Sequence, residues 1–316
     1  MAECICKVCE NSKNNRQFIA QEFQLGLMDE FEYFECSICG CVQIKEIPED
    51  MDRYYPQDYY SFNAIKPSDS SFIKNILFRV SKFGMYCKIN NNNFLANFIG
   101  NKIYPYHPWI AKGLIDYNSS ILDVGCGDGN LLCKLNKFGF KDLTGVDPFI
   151  SETINYNNGL VIYKKTIYEL TDQYDFIMLH HSYEHMDNPI GVLKQIYQLL
   201  KPGASVLIRI PLAGSYSWRK YGRYWVQLDA PRHFFLHTVK SIAILAEKTN
   251  LTLNNIKFDS AYTQFTGSEK YLRNISNKSN EEIFTKTEIK NFKQLANYLN
   301  GINDGDSACF YLKKDK

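Results

Sequence analysis

From residue 120 onward, short apolar stretches alternate with helix-like ones, and this alternation constrains the fold more than any other feature of the sequence. Residues 120–124, 143–147, 160–163, 174–179 and 205–210 read as strands. Between them, 130–138 and 189–200 read as helices, the second stopping at Lys201, Pro202 and Gly203. Such alternation predicts an α/β fold with a mostly parallel sheet covered on both faces. After Pro211 the pattern loosens into a Tyr- and Trp-rich insertion over 211–237. A helix over 238–249, a strand over 251–258, a polar insertion over 260–305 and a last, antiparallel strand over 308–312 complete the chain.

Where the first strand turns into its helix, the sequence reads Asp123, Gly125, Gly127 and Gly129 at alternate positions. Glycine there lets the backbone turn sharply and approach a ligand with no side chain in the way. Asp147 ends the second strand, where a carboxylate can accept both ribose hydroxyls of an adenosine. The loop is G-x-G-x-G, not the G-x-G-x-x-G of dinucleotide folds.

These residues resemble the first motif of the class I S-adenosylmethionine (SAM)-dependent methyltransferases, and Asp147 resembles their second-strand acid. Residues 174–177 and the following segment from His180 to Pro189 look like that family's fourth strand and its loop. Leu200 to Gly203 resembles the turn before its fifth strand. The resemblance implies a Rossmann-like sheet over 113–316 and SAM as cofactor. It implies that Gly125 and Gly127 pass the methionine moiety, with Asp123 in the same motif. Asp147 is then expected to bind ribose, Ile167 to flank adenine, and His180 to contribute backbone near the sulfonium.

Six of the ten cysteines lie in the first 41 residues. Cys6 and Cys9 form one C-x-x-C pair, Cys36 and Cys39 another, the spacing with which two tight turns complete a tetrahedral zinc site. A four-cysteine site leaves no open position, so the zinc is expected to be structural; Cys4 and Cys41 are competing ligands. The expected domains are a zinc-binding module over 1–62, a helical bridge over 63–112 and the methyltransferase domain. The first sixty residues carry twelve acidic and five basic side chains, which argues against nucleic acid as this module's partner. The module looks like the one preceding some bacterial sugar methyltransferases, in which following tyrosines help close the active site. Here Tyr54, Tyr55, Tyr59 and Tyr60 are placed to do so, or to pack as plain aromatics.

Transfer to a hydroxyl needs a base as its proton becomes acidic, and histidine suits that role near neutral pH. Four of six histidines fall in two places, His180, His181 and His185 after the fourth strand and His233 after the fifth. His185 is the first candidate, with Glu184 as an orienting carboxylate; His181 and His233 follow. The segment from Asp229 to His233 resembles one in surface-glycan methyltransferases. Arg232 is expected either to hold an acceptor phosphate or carboxylate, or to pair with Asp229 and shape the loop. Trp218, Trp225, Tyr216, Tyr221 and Tyr224 offer surfaces that stack on sugars, or simply pack the lid.

The expected reaction is methylation of a sugar or glycan precursor, free or nucleotide-linked, in surface-polysaccharide or related biosynthesis. Sugar C-methyltransferases carry a further C-terminal domain, and this sequence stops at about the seventh strand, so oxygen is favoured over carbon. A net charge of +2 gives no general hold on nucleic acid or anionic lipid. With no long apolar run and no basic-flanked leader, a cytoplasmic protein is expected. An RNA or protein methyltransferase, a noncatalytic SAM-fold scaffold and a nicotinamide oxidoreductase are the other readings.

Overall fold

The computed structural model describes residues 4–55, 82, 115–277, 279 and 281–316. The expected helical bridge over 63–112, apart from Lys82, lies outside them, as do Tyr59 and Tyr60. By backbone proximity the chain divides into two compact units. The first comprises Met1–Gln57, Leu179–Tyr197 and Leu207–Asp315; the second comprises Asp58–Met178 and Gln198–Val206 with the terminal Lys316.

The first unit begins with an antiparallel meander of β1 (Arg16–Gln21), β2 (Glu30–Glu35) and β3 (Val42–Ile44). Arg16 pairs with Glu35 and Gln21 with Glu30 across the first hairpin, and Tyr33 with Ile44 across the second.

The second unit holds β4 (Ile121–Val124), α1 (Asn130–Phe138), β5 (Leu143–Val146), β6 (Ile154–Asn155) and β7 (Val161–Tyr163). Most of β8 (Tyr174–His180) and the first half of β9 (Leu200–Pro211) also fall within it. The strand order is β9-β8-β4-β5-β7-β6. β4 pairs in parallel with β5 (Ile121 to Leu143) and with β8 (Ile121 to Phe176), and β5 with β7; the short β6 runs antiparallel to β7. Ile121, Leu122, Phe176, Ile177 and Met178 are wholly buried, the continuous apolar character of a sheet covered on both sides. Helix α1 buries Leu132 and Leu135 and ends at Gly139, whose left-handed φ of 117° lets its amide close on the carbonyls of Leu135 and Asn136.

The first unit resumes with α2 (Pro189–Leu199, shared at its end with the second unit), α3 (Tyr216–Tyr221), β10 (Phe235–Leu236) and α4 (Val239–Lys248). It continues with β11 (Leu251–Phe258), α5 (Thr263–Leu272), α6 (Lys286–Gly301) and β12 (Ser307–Lys314). β12, last in sequence, lies between β9 and β11 and runs antiparallel to β11. The molecule is thus a mixed α/β, Rossmann-like fold with a mostly parallel sheet and antiparallel strands at its margins.

Two details differ from the sequence reading. Strand β9 already starts at Leu200, so Lys201-Pro202-Gly203 forms its first residues, kinked at Gly203 (φ 79°), and not a separate turn. The N-terminal segment is not self-contained either. β10, from the insertion after the fifth strand, pairs antiparallel with β3 (Phe235 to Gln43, Leu236 to Val42) and completes the sheet β1-β2-β3-β10. A shared core of Ala20, Tyr33, Val42 and Ile44 with Trp218, Trp225, Leu228 and Leu236 explains why: three short strands bury too little apolar surface alone.

Candidate functional site

In the second unit the loop after β4 takes a backbone that glycine alone adopts cheaply. Gly125, Gly127 and Gly129 have φ of 72°, 56° and 77°. A side chain at Gly129 would also put its Cβ 2.4 Å from Ile162 Cδ1. The loop is pinned by the Gly125 amide donating to the Val146 carbonyl (2.8 Å) and the Gly127 amide to Asp147 Oδ2 (2.9 Å). Asp147 Oδ1 accepts from the Phe149 amide at 2.9 Å. The acid is therefore held rigidly beside the loop, with lone pairs remaining on both oxygens for hydroxyl donors. This cradle and carboxylate fit an adenosyl cofactor such as SAM. Phe149, two residues past Asp147, is an exposed aromatic beside the acid. Ile167 is buried in a short 3-10 turn closed by Thr166 and Glu169.

Asp123 lies fully buried in β4. Burial, then the nearby charge of Asp147, pushes its carboxyl up to about 8, so it is largely protonated at neutrality. The folded chain then holds this proton more tightly than the unfolded one. Stability from this group is complete at acid pH and declines as pH rises from the usual carboxylate range towards about 8. Asp123→Asn is expected to flatten this decline and to exceed the parent in stability by a few kcal/mol at alkaline pH, at about 1.4 kcal/mol per pH unit. Urea melts at mildly acid and mildly alkaline pH check this; a parent–variant gap that fails to widen with pH contradicts it.

In the first unit the two C-x-x-C turns bring Cys6, Cys9, Cys36 and Cys39 together, with all four sulfurs within 4.8 Å of one another. Cys6 and Cys39 Sγ are 3.6 Å apart, Cys9 and Cys36 Sγ 3.4 Å. A tetrahedral zinc with bonds of about 2.3 Å sets sulfur–sulfur edges of about 3.8 Å, so the set fits that ion with little movement. Gln43 Nε2 donates to Cys6 Sγ (2.9 Å) and Asn11 Nδ2 to Cys36 Sγ (3.8 Å), as partners of thiolates do. Cys41 is buried away from the set, with His237 Nδ1 3.8 Å from its sulfur, and Cys4 does not join it.

The first unit also holds the imidazole cluster. Glu184 and His185 sit in a 3-10 turn after β8, and His233 follows a turn that begins at the left-handed Asp229 (φ 39°). His185 Nδ1 lies 2.7 Å from the Arg232 carbonyl, and His233 Nδ1 2.8 Å from the Gln227 carbonyl. Each carbonyl can only accept, so each Nδ1 carries the proton and each Nε2 a lone pair. Burial, with His185 adding to it, lowers His233 to about 4. Burial alone would raise Glu184, but His181, then His185 and His233, outweigh it and hold the carboxylate at about 2.

Several expected roles change here. Glu184 does not orient His185; the Arg232 carbonyl does, with the Tyr55 hydroxyl 3.3 Å away. His181, strained at φ 53°, has Nε2 2.6 Å from Arg209 Nη1, which occupies that nitrogen, and Nδ1 3.3 Å from Glu184 Oε1. Arg209 is in turn paired with Asp259 at 2.6 Å. His180 ends β8 and is half-buried. Arg232, expected either at an acceptor anion or in a structural pair, is wholly buried in the second role. It bonds Asp229 through Nε (3.0 Å) and Nη2 (2.6 Å), Glu22 through Nη2 (2.9 Å) and the Tyr54 carbonyl through Nη1 (3.2 Å). No face of the guanidinium is left for substrate. Trp218, Trp225 and Tyr221 are buried, so they pack the insertion and stack on nothing bound; Tyr216 and Tyr224 are half-buried. Tyr60 lies outside the described residues.

Comparison with known proteins places the chain. A family profile described as "Methyltransferase domain" matches residues 102–255. A ubiquinone biosynthesis O-methyltransferase of Dictyostelium discoideum is 26% identical over 141 residues, covering 37% of this chain and 44% of that protein. A human EEF1A lysine methyltransferase 2 is 46% identical over 39 residues, 12% of this chain and 16% of that protein. The chain thus spans less than half the length of these curated relatives. A solved SAM-dependent methyltransferase from Archaeoglobus fulgidus is 19% identical with a TM-score of 0.41, covering 78% of this chain and all of that one. Among the described residues no helix is long and apolar enough to cross a membrane. Strand order and glycine loop agree with the profile, by which residues 102–255 match a methyltransferase domain.

Proposed function

We propose that the protein transfers the methyl group of SAM to a hydroxyl oxygen of a small-molecule acceptor. The observation that carries this is the rigid loop of three left-handed glycines closed by the Gly127–Asp147 hydrogen bond. SAM supplies an activated methyl, and aligning acceptor with methyl provides most of the acceleration. The glycines admit the methionine part and Asp147 accepts the ribose hydroxyls, with Asp123, Ile167 and Phe149 in the same unit. His185 is the leading base for the hydroxyl proton, because its half-buried Nε2 bears a lone pair and its Nδ1 is fixed by a carbonyl. His233, pressed down to about 4, and His181, held by Arg209, suit support better than proton uptake.

A sugar or glycan precursor is the narrower reading of the acceptor. It rests on the resemblance of the segment from Asp229 to His233 and on the thiol module, while the burial of Arg232 and both tryptophans removes part of its basis. The O-methyltransferase name of the Dictyostelium relative agrees with oxygen as the acceptor atom. We further read the four thiols as the ligands of a structural zinc.

His185→Ala is expected to lower kcat by about 10²- to 10⁴-fold and leave SAM affinity unchanged. Turnover on a panel of nucleotide sugars and phenols, with SAM binding measured alongside, checks it. Unchanged kcat on an accepted substrate would remove His185 from the chemistry.

A further inference from the structure

Glu184 is an anomaly. Its side chain is wholly buried, and neither carboxylate oxygen makes a hydrogen bond. Its ion-pair partner among the described residues is His181, with Nδ1 3.3 Å from Oε1 but out of hydrogen-bond alignment. A buried carboxylate in this state is costly unless a cation offsets it. Beside it, one nitrogen each of His185 and His233 and one Glu184 oxygen lie within 4.8 Å of one another.

Both imidazoles are held as metal ligands are held. Each directs Nδ1 at a backbone carbonyl, of Arg232 and of Gln227, which fixes the ring and leaves Nε2 as a bare lone pair. Each imidazole therefore keeps one acceptor nitrogen, and Glu184 adds two acceptor oxygens. Asp229 Oδ2, 3.8 Å from His233 Nε2, adds negative charge at the edge, although both Asp229 oxygens already accept from Arg232.

We propose that Glu184, His185 and His233 form a metal site, distinct from the four thiols, that takes one divalent ion of the zinc, iron(II) or cobalt(II) class. Two imidazoles and one carboxylate are borderline ligands that suit those ions better than magnesium or calcium. Three protein ligands leave coordination positions open, in contrast to the closed thiol set, and His185 is half-buried, so those positions can face a ligand. A hydroxyl oxygen bound there loses its proton more easily. That use rests on the methyl-transfer reading, with His185 then acting through the ion; the binding itself does not.

The test titrates cobalt(II) into the full-length, zinc-loaded chain, followed by visible absorption and electron paramagnetic resonance. The expected result is one equivalent with nitrogen/oxygen ligation and no thiolate charge-transfer band. Affinity should fall about 100-fold or more in Glu184→Gln and His233→Ala. Glu184→Gln keeps the size and shape of the side chain and removes its charge, and circular dichroism verifies the fold; His185→Gln serves if His233→Ala does not fold. The proposal is overturned if folded parent takes no such equivalent, if cobalt enters only the thiol set, or if Glu184→Gln binds as tightly as parent. SAM binding and turnover on the same preparations separate the two readings: a cobalt-binding protein that ignores SAM sinks methyl transfer alone.

Discussion

Replacing Cys36 with serine should release the zinc proposed for the thiol set and cost the first unit several kcal/mol. Four-thiolate binding is worth on the order of 10 kcal/mol or more in small zinc modules, and one lost ligand forfeits much of it. The meander β1–β3 buries few large side chains of its own, so the bound ion and the β10 pairing must hold it. Thr238 Oγ1 donates to the Cys39 carbonyl (2.6 Å), so loosening this turn also loosens the start of α4. Cys4→Ser, outside the set, should keep both zinc and stability. Zinc content and urea melts on the two variants check this. A zinc-free Cys36→Ser protein as stable as the parent would show that the ion does no structural work.

Arg232→Ala should destabilise the protein by about 3–5 kcal/mol, the range for breaking a buried charge cluster by deleting one partner. It strands two carboxylates, Glu22 and Asp229, which Arg232 bonds in the interior. The same change frees the segment whose carbonyl fixes His185 and whose neighbour is His233. An arginine that held an acceptor anion would behave differently, raising KM at unchanged melting temperature. Thermal melts beside KM values distinguish the two, and a KM effect without destabilisation would restore the substrate role.

The parts legible in the sequence are those set by local pattern. Apolar runs such as 120–124 and 174–179 announce buried parallel strands because the sheet is covered on both faces, which demands continuous rather than alternating apolarity. Gly125, Gly127 and Gly129 could be read because left-handed backbone has few alternatives to glycine. The thiol pairs were legible because ligand spacing is short-range. What escaped depends on distant partners. Glu22, 210 residues from Arg232, carries no local sign that it will neutralise a buried guanidinium. The same holds for Arg209, which occupies the ring nitrogen that would have made His181 a base. A two-residue strand such as β10 has too few side chains to show any period, and its partner β3 lies nearly two hundred residues earlier. Tryptophans at 218 and 225 look identical in sequence whether they face a ligand or a core; packing against Phe18, Tyr33 and Leu228 decided it.

The central claim is that the loop from Asp123 to Gly129, with Asp147, binds SAM. Calorimetric titration of purified protein with SAM, its demethylated product and NAD tests it most directly. The account predicts saturable binding of SAM and product, no binding of NAD, and a loss of about 100-fold or more in Asp147→Ala, which removes charged hydrogen bonds to ribose and frees the Gly127 amide. Folded protein that binds neither SAM nor its product, or an Asp147→Ala variant that binds SAM as tightly as the parent, would contradict it.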